Sequence, residues 1–119
     1  MRPGTIDQWV VDAVDPSALA RFWAELLGGD PVDRPDGWSY VDLPGAPRLS
    51  FQPTDEPKRT PHRVHADVRV TDIAESAERL LTLGATAVGE TVTDAQGAFR
   101  VMRDPEGNEF CLVRPTGRP

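Results

Sequence analysis

Residues 63–70, Arg-Val-His-Ala-Asp-Val-Arg-Val, form the stretch around which the rest of the chain is organised. Apolar and polar side chains alternate along it, as they do on the two faces of a β-strand. The apolar set is Val64, Ala66, Val68 and Val70, and the titratable set is His65, Asp67 and Arg69. Such a strand separates a hydrophobic core from solvent or from a cavity, and the strand alone leaves both readings open.

The segment after this strand predicts a helix and three further strands. Asp72 is a helix N-cap with Glu75 three residues later, which is a capping-box arrangement. The apolar spacing predicts a helix over 73–83 that ends near Gly84. Glycine and proline turns then separate strands expected at 86–92, 99–103 and 108–113.

The first half of the chain repeats this order. A strand is predicted over 5–14, a helix over 16–27 after the cap Asp15, and short strands at 30–33, 38–43 and 48–52. The sequence therefore predicts an α+β fold made of two βαβββ modules, residues 5–53 and 63–114. A proline-rich linker, residues 54–62, joins them within one domain of residues 1–119, because either half alone is too small to be stable.

The composition argues against some classes of binding partner. The 119 residues carry a formal net charge of −6, which argues against nucleic acid because phosphate contacts need clustered Lys and Arg. No apolar run is long enough to span a membrane, and the N-terminus lacks the apolar core of a signal peptide. With Cys111 as the single cysteine there is no internal disulfide framework. A cytoplasmic location is expected.

One face of each predicted sheet is left half polar. If the helix covers the other face and the two sheets curl together, these residues line a cup suited to a small molecule. The candidate ligand-binding residues are Gln8, Trp38, Tyr40, Ser50, Asp67, Phe99 and Cys111, with His65 and Glu109 as candidate catalytic residues. The aromatic members could stack a flat ligand or simply pack in the sheet.

Three stretches carry a family resemblance: the closing run Asp104-Pro-Glu-Gly-Asn-Glu-Phe-Cys-Leu-Val113, the run Arg48-Leu-Ser-Phe-Gln52, and His65-Ala-Asp-Val68. Together with the paired modules they resemble the glyoxalase/bleomycin-resistance/extradiol-dioxygenase group, the vicinal oxygen chelate superfamily, in its small glyoxalase-like branch. The resemblance covers nearly the whole chain. It implies the two-module cup-shaped fold, but a fold does not fix an activity.

The resemblance also implies where a divalent metal would sit in metal-dependent members. The four matching positions are Gln8, Ser50, His65 and Cys111, where a competent site would have two carboxylates. His65 is the only strong neutral donor of the four, so no tightly bound metal or other cofactor is expected. Asp67 or Glu109 could rescue the site only through a strand shift or a bridging water.

Individual side chains keep alternative roles. His65 could be a ligand, a general base or a hydrogen-bonding residue of the cup, and the last two are favoured. Cys111 could be a soft ligand or a reactive thiol, but a lone cysteine is more often an apolar filler. Glu109 could act as acid, base or ligand, although it lies about 7 Å along its strand from Cys111. Asp67 and Arg69 could also pair across the sheet.

The sequence thus predicts a protein that binds a small, flat organic ligand without a complete metal site, as bleomycin-resistance relatives do. The alternative is a metal-dependent lyase, isomerase or dioxygenase of the same superfamily. A metal-free enzyme with His65 as base is a third possibility. A homodimer is expected from the resemblance and from the apolar surface that Trp9 and Trp23 would offer.

Overall fold

The computed structural model describes residues 5–57, 64–95 and 97–116 and divides into two compact units, residues 1–57 and 58–119. The first unit contains β1 (Gln8–Ala13), α1 (Pro16–Leu27), β2 (Pro31–Asp33), β3 (Ser39–Val41) and β4 (Arg48–Pro53). The second contains β5 (Ala66–Arg69), α2 (Ile73–Thr82), β6 (Thr86–Asp94), β7 (Gly97–Arg103) and β8 (Glu109–Pro115). The predicted pair of βαβββ modules is confirmed.

The two sheets have the same topology. Their strand orders are β1-β4-β3-β2 and β5-β8-β7-β6. In each sheet the first and last strands of the module are parallel neighbours, and the remaining pairs are antiparallel. The first strand can pair parallel with the last because a helix and two strands intervene, which is the crossover that parallel pairing requires.

Both helices begin at the predicted caps. The Asp15 side chain accepts a hydrogen bond of 3.1 Å from Ala18 N, and the Asp72 side chain accepts one of 3.0 Å from Glu75 N. These bonds satisfy amide groups that the first helical turn leaves without partners. The apolar faces of the helices pack on their own sheets and form the two cores, whose most buried large side chains include Leu19, Val41, Phe51, Met102, Phe110 and Leu112.

The turn that ends β7 and begins β8 is held by one buried carboxylate. Asp104 is 3% exposed, and its Oδ1 accepts hydrogen bonds of 2.9 Å from the backbone amides of Glu106 and Asn108. Gly107 has a φ of +87°, a backbone conformation that glycine adopts without strain. This network holds the Asp-Pro-Glu-Gly-Asn turn in one conformation.

The strand ends differ from the predicted ones. β1 begins at Gln8 rather than at residue 5, and β5 begins at Ala66, so His65 immediately precedes it. Val64 is 71% exposed because it lies before the strand and has no sheet neighbour to cover it. Residues 58–63, which hold most of the predicted linker and the start of the predicted strand, lie outside the described residues.

The two tryptophans named for a dimer contact differ in exposure. Trp9 is 51% exposed because β1 is an edge strand of its sheet, and α1 packs mainly on the other three strands. Trp23 is only 7% exposed and makes an edge-to-face contact with Phe22 at 5.7 Å between ring centroids. The expectation that Trp23 offers surface is therefore wrong, since the side chain belongs to the core. The homodimer itself stays a prediction.

Candidate functional site

The first module brings two predicted site residues into contact. β1 and β4 are parallel neighbours, with Gln8 opposite Arg48 and Val10 opposite Ser50. The Ser50 hydroxyl donates a hydrogen bond of 2.6 Å to Gln8 Oε1, and Ser50 is 1% exposed. Gln8 and Ser50 are therefore locked to each other across the two strands.

An arginine stack lies next to this pair. The guanidinium carbon of Arg48 lies 3.7 Å from the centroid of the Tyr40 ring, and Tyr40 is opposite Ser50 in the sheet. Arg48 also donates to both carboxylate oxygens of Asp42, at 2.7 Å from Nε and 3.1 Å from Nη2. These hydrogen bonds hold the pKa of Asp42 below its usual range. Arg48 is thus fixed by a ring and a carboxylate.

Trp38 has a similar partner. The guanidinium carbon of Arg34 lies 5.4 Å from the centroid of the Trp38 indole, and Arg34 is also ion-paired with Asp36. In this module, one face of each of the two predicted aromatic site residues, Trp38 and Tyr40, is thus covered by an arginine. The polar groups next to the Trp38 and Tyr40 rings are therefore the guanidinium groups of Arg34 and Arg48.

A cleft opens beside the arginine stack in the first module. Its volume is about 790 Å³, and it is wide open to solvent. Its lining residues are Thr5, Ile6, Asp7, Gln8, Arg34, Asp42, Gly45, Ala46, Pro47 and Arg48. Of the predicted ligand-binding residues only Gln8 lines it, while Tyr40 and Trp38 support the two arginines that do.

The second module brings together three side chains that offer metal-ligating atoms. β5 and β8 are parallel neighbours with Asp67 opposite Cys111, and His65 immediately precedes β5. One ligand atom from each of His65, Asp67 and Cys111 lies within 4.8 Å of the others. His65 Nε2 is 3.4 Å from Asp67 Oδ1. We call these three residues the His-Asp-Cys cluster.

The surroundings of the thiol are acidic. Partial burial raises the pKa of the Cys111 thiol, and the negative charges of Asp67 and Glu109 raise it further. Glu109 itself is ion-paired with Arg103 at 3.3 Å. Phe99 is half-buried on the same face and lies opposite Val113 rather than against Cys111. Of the two candidate catalytic residues, His65 lies in the cluster and Glu109 lies beside it.

The two modules place these groups at equivalent positions. Adding 57 to a β1 number gives its β5 equivalent, so Gln8 matches His65 and Val10 matches Asp67. Adding 61 to a β4 number gives its β8 equivalent, so Ser50 matches Cys111. The pairs that the resemblance assigned to metal positions are therefore neighbours within their own modules. The prediction that both pairs line one cup stays a prediction.

The flanking ion pairs are also equivalent, but their charges are reversed. Asp42 and Arg48 occupy the positions in the first module that Arg103 and Glu109 occupy in the second. The first module therefore has a cation next to its polar pair, and the second has an anion next to its cluster.

The sequence model of the glyoxalase-like domain family matches residues 8–113. The chain belongs to the glyoxalase-like domain family. This glyoxalase-like chain is thereby a member of the glyoxalase/bleomycin resistance/dioxygenase superfamily, as its fold and its closing turn indicated. No curated protein sequence matches it significantly. Within the described residues no helix is both long and apolar enough to cross a membrane.

Solved structures share the fold at low sequence identity. A glyoxalase-related enzyme from Fulvimarina pelagi is 19% identical, with a TM-score of 0.72 over 92% of this chain and 86% of that one. A superfamily member from Sphaerobacter thermophilus is 19% identical, with a TM-score of 0.67 over 92% and 96% of the two chains. The oxidase ChaP-H1 is 25% identical, with a TM-score of 0.67 over 97% and 99%.

This superfamily often uses a divalent metal, and the two modules differ in how well their side chains suit one. In the first module Gln8 and Ser50 are neutral and bonded to each other, and Arg48 places a positive charge beside them. Binding a cation there would displace that bond without supplying any negative charge, so this half does not fit a metal. In the second module an imidazole, a carboxylate and a thiol fit a divalent ion by their chemistry.

The sequence interpretation missed the charged groups that line the cleft. Arg34, Asp42 and Arg48 were not among its site residues, because the contact of a cation with a ring depends on strand register. The spacing of Tyr40 and Arg48 around the Pro44-Gly45 turn was the available signal. Asp67 was among the predicted site residues, but its position next to Cys111 could not be predicted from sequence. It depends on the parallel pairing of β5 with β8.

Proposed function

We propose that this glyoxalase-like protein binds a small organic molecule carrying a carboxylate or carbonyl oxygen, in the cleft of the first module. The observation that carries the proposal is the position of Arg48, which lines the cleft while Tyr40 and Asp42 hold it in place. A donor fixed before binding loses little conformational freedom when a ligand arrives, and this favours affinity.

The donors of the cleft suit oxygen atoms. Arg34 and Arg48 present guanidinium groups, which match carboxylate and carbonyl oxygens in geometry. Gln8 also lines the cleft, and the bond from Ser50 occupies its amide oxygen. Its amide nitrogen then remains as a donor, because no residue of the described part of the chain accepts from it.

The charges of the cleft limit the ligand further. The two arginines are balanced by Asp7 and Asp42, which also line the cleft, so its formal charge is zero. A neutral or singly charged molecule suits such a site better than a multiply charged phosphate. A flat ring is favoured because guanidinium groups stack on aromatic faces, as Arg48 already does on Tyr40.

A metal-dependent lyase, isomerase or dioxygenase is the second candidate. The His-Asp-Cys cluster favours it, since three side chains with ligating atoms lie within 4.8 Å of one another. The name of the structurally similar oxidase ChaP-H1 also supports an enzyme among relatives of this size. The first module argues against the four-position metal site, because Gln8 and Ser50 are bonded to each other.

Benzoate and benzylamine are suitable probes, since they share a ring and differ in the polar group. Two-dimensional amide NMR of labelled protein in chelator-containing buffer would be recorded during titration with each. We expect benzoate to shift the amides of residues 5–8 and 42–48, and benzylamine to shift them less. Benzoate shifts confined to other residues, or none at millimolar concentration, would contradict the proposal.

The matched variants are Arg48→Met and Arg21→Met. Both remove an arginine that is ion-paired with an aspartate, Arg48 with Asp42 and Arg21 with Asp33, but only Arg48 lines the cleft. We expect Arg48→Met to weaken benzoate binding by about tenfold or more, as the loss of a charge-assisted hydrogen bond does. Arg21→Met should bind benzoate as the wild type does. Equal effects of the two substitutions would show that the cleft is not the site.

A further inference from the structure

We propose that the second module alone binds a soft divalent cation such as Zn²⁺, through His65, Asp67 and Cys111. This site is not the four-position arrangement implied by the superfamily, because it takes nothing from Gln8 or Ser50. It adds a carboxylate, Asp67, at a position that was not among those four. The equivalent residue in the first module is Val10, which has no ligating atom.

The spacing of the donor atoms fits one ion. Zn–N and Zn–O bonds are about 2.0–2.2 Å and Zn–S bonds about 2.3 Å, so donors around tetrahedral zinc lie about 3.4–3.6 Å apart. His65 Nε2 and Asp67 Oδ1 are already 3.4 Å apart. One ligand atom from each of the three residues lies within 4.8 Å of the others, so side-chain rotations that move these atoms by about 1 Å bring them to the spacing of zinc ligands.

The side chains have the freedom to make this adjustment. The side chains of His65 and Asp67 are 55% and 60% exposed, and Cys111 is half-buried. The backbone need not move, because Asp67 and Cys111 are direct neighbours in the parallel pairing of β5 with β8. The strand shift that the sequence interpretation required for Asp67 is therefore unnecessary.

The charges of the bound state balance. Binding forms one metal–sulfur, one metal–nitrogen and one metal–oxygen bond, and the thiol proton of Cys111 passes to the solvent. The thiolate and the carboxylate then supply two negative charges against the two positive charges of the ion, with neutral His65 as the third ligand. A water molecule completes four-coordination. Gln8 and Ser50 supply no negative charge, which is why the first module cannot do the same.

This proposal is independent of the organic ligand proposed for the first module. The three ligands belong to β5, β8 and the residue before β5, and none of them lines the cleft. Failure of benzoate to bind would leave the metal site untouched, and failure of the metal to bind would leave the cleft untouched. The two proposals can therefore be refuted separately.

Cobalt provides the direct test, because Co²⁺ replaces Zn²⁺ and reports thiolate ligation by a charge-transfer absorption in the near ultraviolet. Tag-free protein would be stripped with chelator, dialysed and titrated with Co²⁺, and Zn²⁺ would then be added in competition. We expect the absorption to saturate at one equivalent and to disappear when Zn²⁺ displaces the cobalt. No thiolate absorption, or saturation without it, would overturn the proposal.

Three variants separate ligation from general negative charge. Cys111→Ser should lose the charge-transfer absorption, and Asp67→Asn should weaken Co²⁺ binding by about tenfold or more, the size expected when a metal site is damaged. Glu109→Gln removes one negative charge from the same face but none of the three donors. Glu109→Gln should keep the charge-transfer absorption, and its affinity for Co²⁺ should lie within about threefold of that of the wild type.

An equal loss in Asp67→Asn and Glu109→Gln would overturn the proposal, since only the overall charge would then matter. All three substituted side chains are exposed or half-buried, so the variants are expected to fold. Far-ultraviolet circular dichroism of the metal-free variants checks this. Co²⁺ binding by Cys111→Ser that retained the wild-type absorption would equally refute ligation by the thiol.

Discussion

Ser50 Oγ donates a 2.6 Å hydrogen bond to Gln8 Oε1, and this bond joins the first and last strands of the first module. In the second module the equivalent residues are His65 and Cys111, which belong to the His-Asp-Cys cluster. One pair of positions is therefore a closed hydrogen bond in one module and part of a potential metal site in the other.

Ser50→Ala should lower the free energy of unfolding by about 1 kcal/mol, the usual net value of one neutral hydrogen bond. Urea denaturation measures this, and the Gln8→Ala/Ser50→Ala double variant completes a mutant cycle. We expect the two single losses to add up to more than the loss in the double variant, because they share one bond. Strict additivity would mean that the bond contributes nothing to stability.

Gly29→Ala should be more destabilising than Gly107→Ala. Both glycines have positive φ, +97° and +87°, so alanine is strained at each. A Cβ on Gly29 would in addition lie 2.8 Å from the backbone oxygen of Asp42, whereas one on Gly107 would meet nothing within 4 Å. We expect about 1 kcal/mol for Gly107→Ala and about 2–3 kcal/mol for Gly29→Ala, from thermal or urea unfolding. Equal losses would contradict the contact.

The Asp33 carboxylate should contribute to stability at neutral pH and lose that contribution in acid. Its pKa is lowered by hydrogen bonds from Arg21 and Ser39, so the folded state holds the charged form more strongly than the unfolded state. The contribution is complete above the unfolded pKa near 3.8 and is lost as the pH falls through the lower folded value.

The difference in urea midpoint between wild type and Asp33→Asn should therefore be largest near neutral pH and shrink below about pH 3.8. Asp55→Asn is the control, because Asp55 forms no ion pair within the described residues and should leave the midpoint unchanged throughout. A difference between wild type and Asp33→Asn that grew in acid would show that the folded state does not favour the charged form of Asp33.

The element order could be predicted from sequence because local signals fix it. Asp15 and Asp72 cap the helices in a way that depends only on the residues beside them, and the strands alternate with period two. Gln8 and His65, two positions that the family resemblance made equivalent, each lie seven residues before one of those caps. These are short-range relations, and the structure confirms the architecture they predicted.

The site could be predicted only in part, because its contacts depend on register between distant strands. Asp67 meets Cys111 only because β5 pairs with β8 in one register, and a shift of one residue would put it on Leu112. Arg48 lies over Tyr40 for the same kind of reason. Trp23 was predicted to offer surface for a dimer contact, although its position in the apolar stripe of α1 buries it.

The Cys111 thiol should react slowly with iodoacetamide. Partial burial raises its pKa, as do the charges of Asp67 and Glu109, so little thiolate is present near neutral pH. Asp67→Asn removes one of these negative charges, lowers the pKa and should speed alkylation at about pH 8 by about two- to tenfold. Mass spectrometry follows the reaction. A rate unchanged or slowed by Asp67→Asn would show that Asp67 does not act on the thiol.

The central claim is that the second module has metal ligands and the first module has none. The most direct test compares the Zn²⁺ affinity of His65→Ala with that of Gln8→Ala. Isothermal titration of chelator-stripped, tag-free protein gives both values. We predict that His65→Ala weakens Zn²⁺ binding by about tenfold or more, and that Gln8→Ala leaves it within about twofold of the wild type. A comparable loss in Gln8→Ala would contradict the claim and restore a metal site built from both modules.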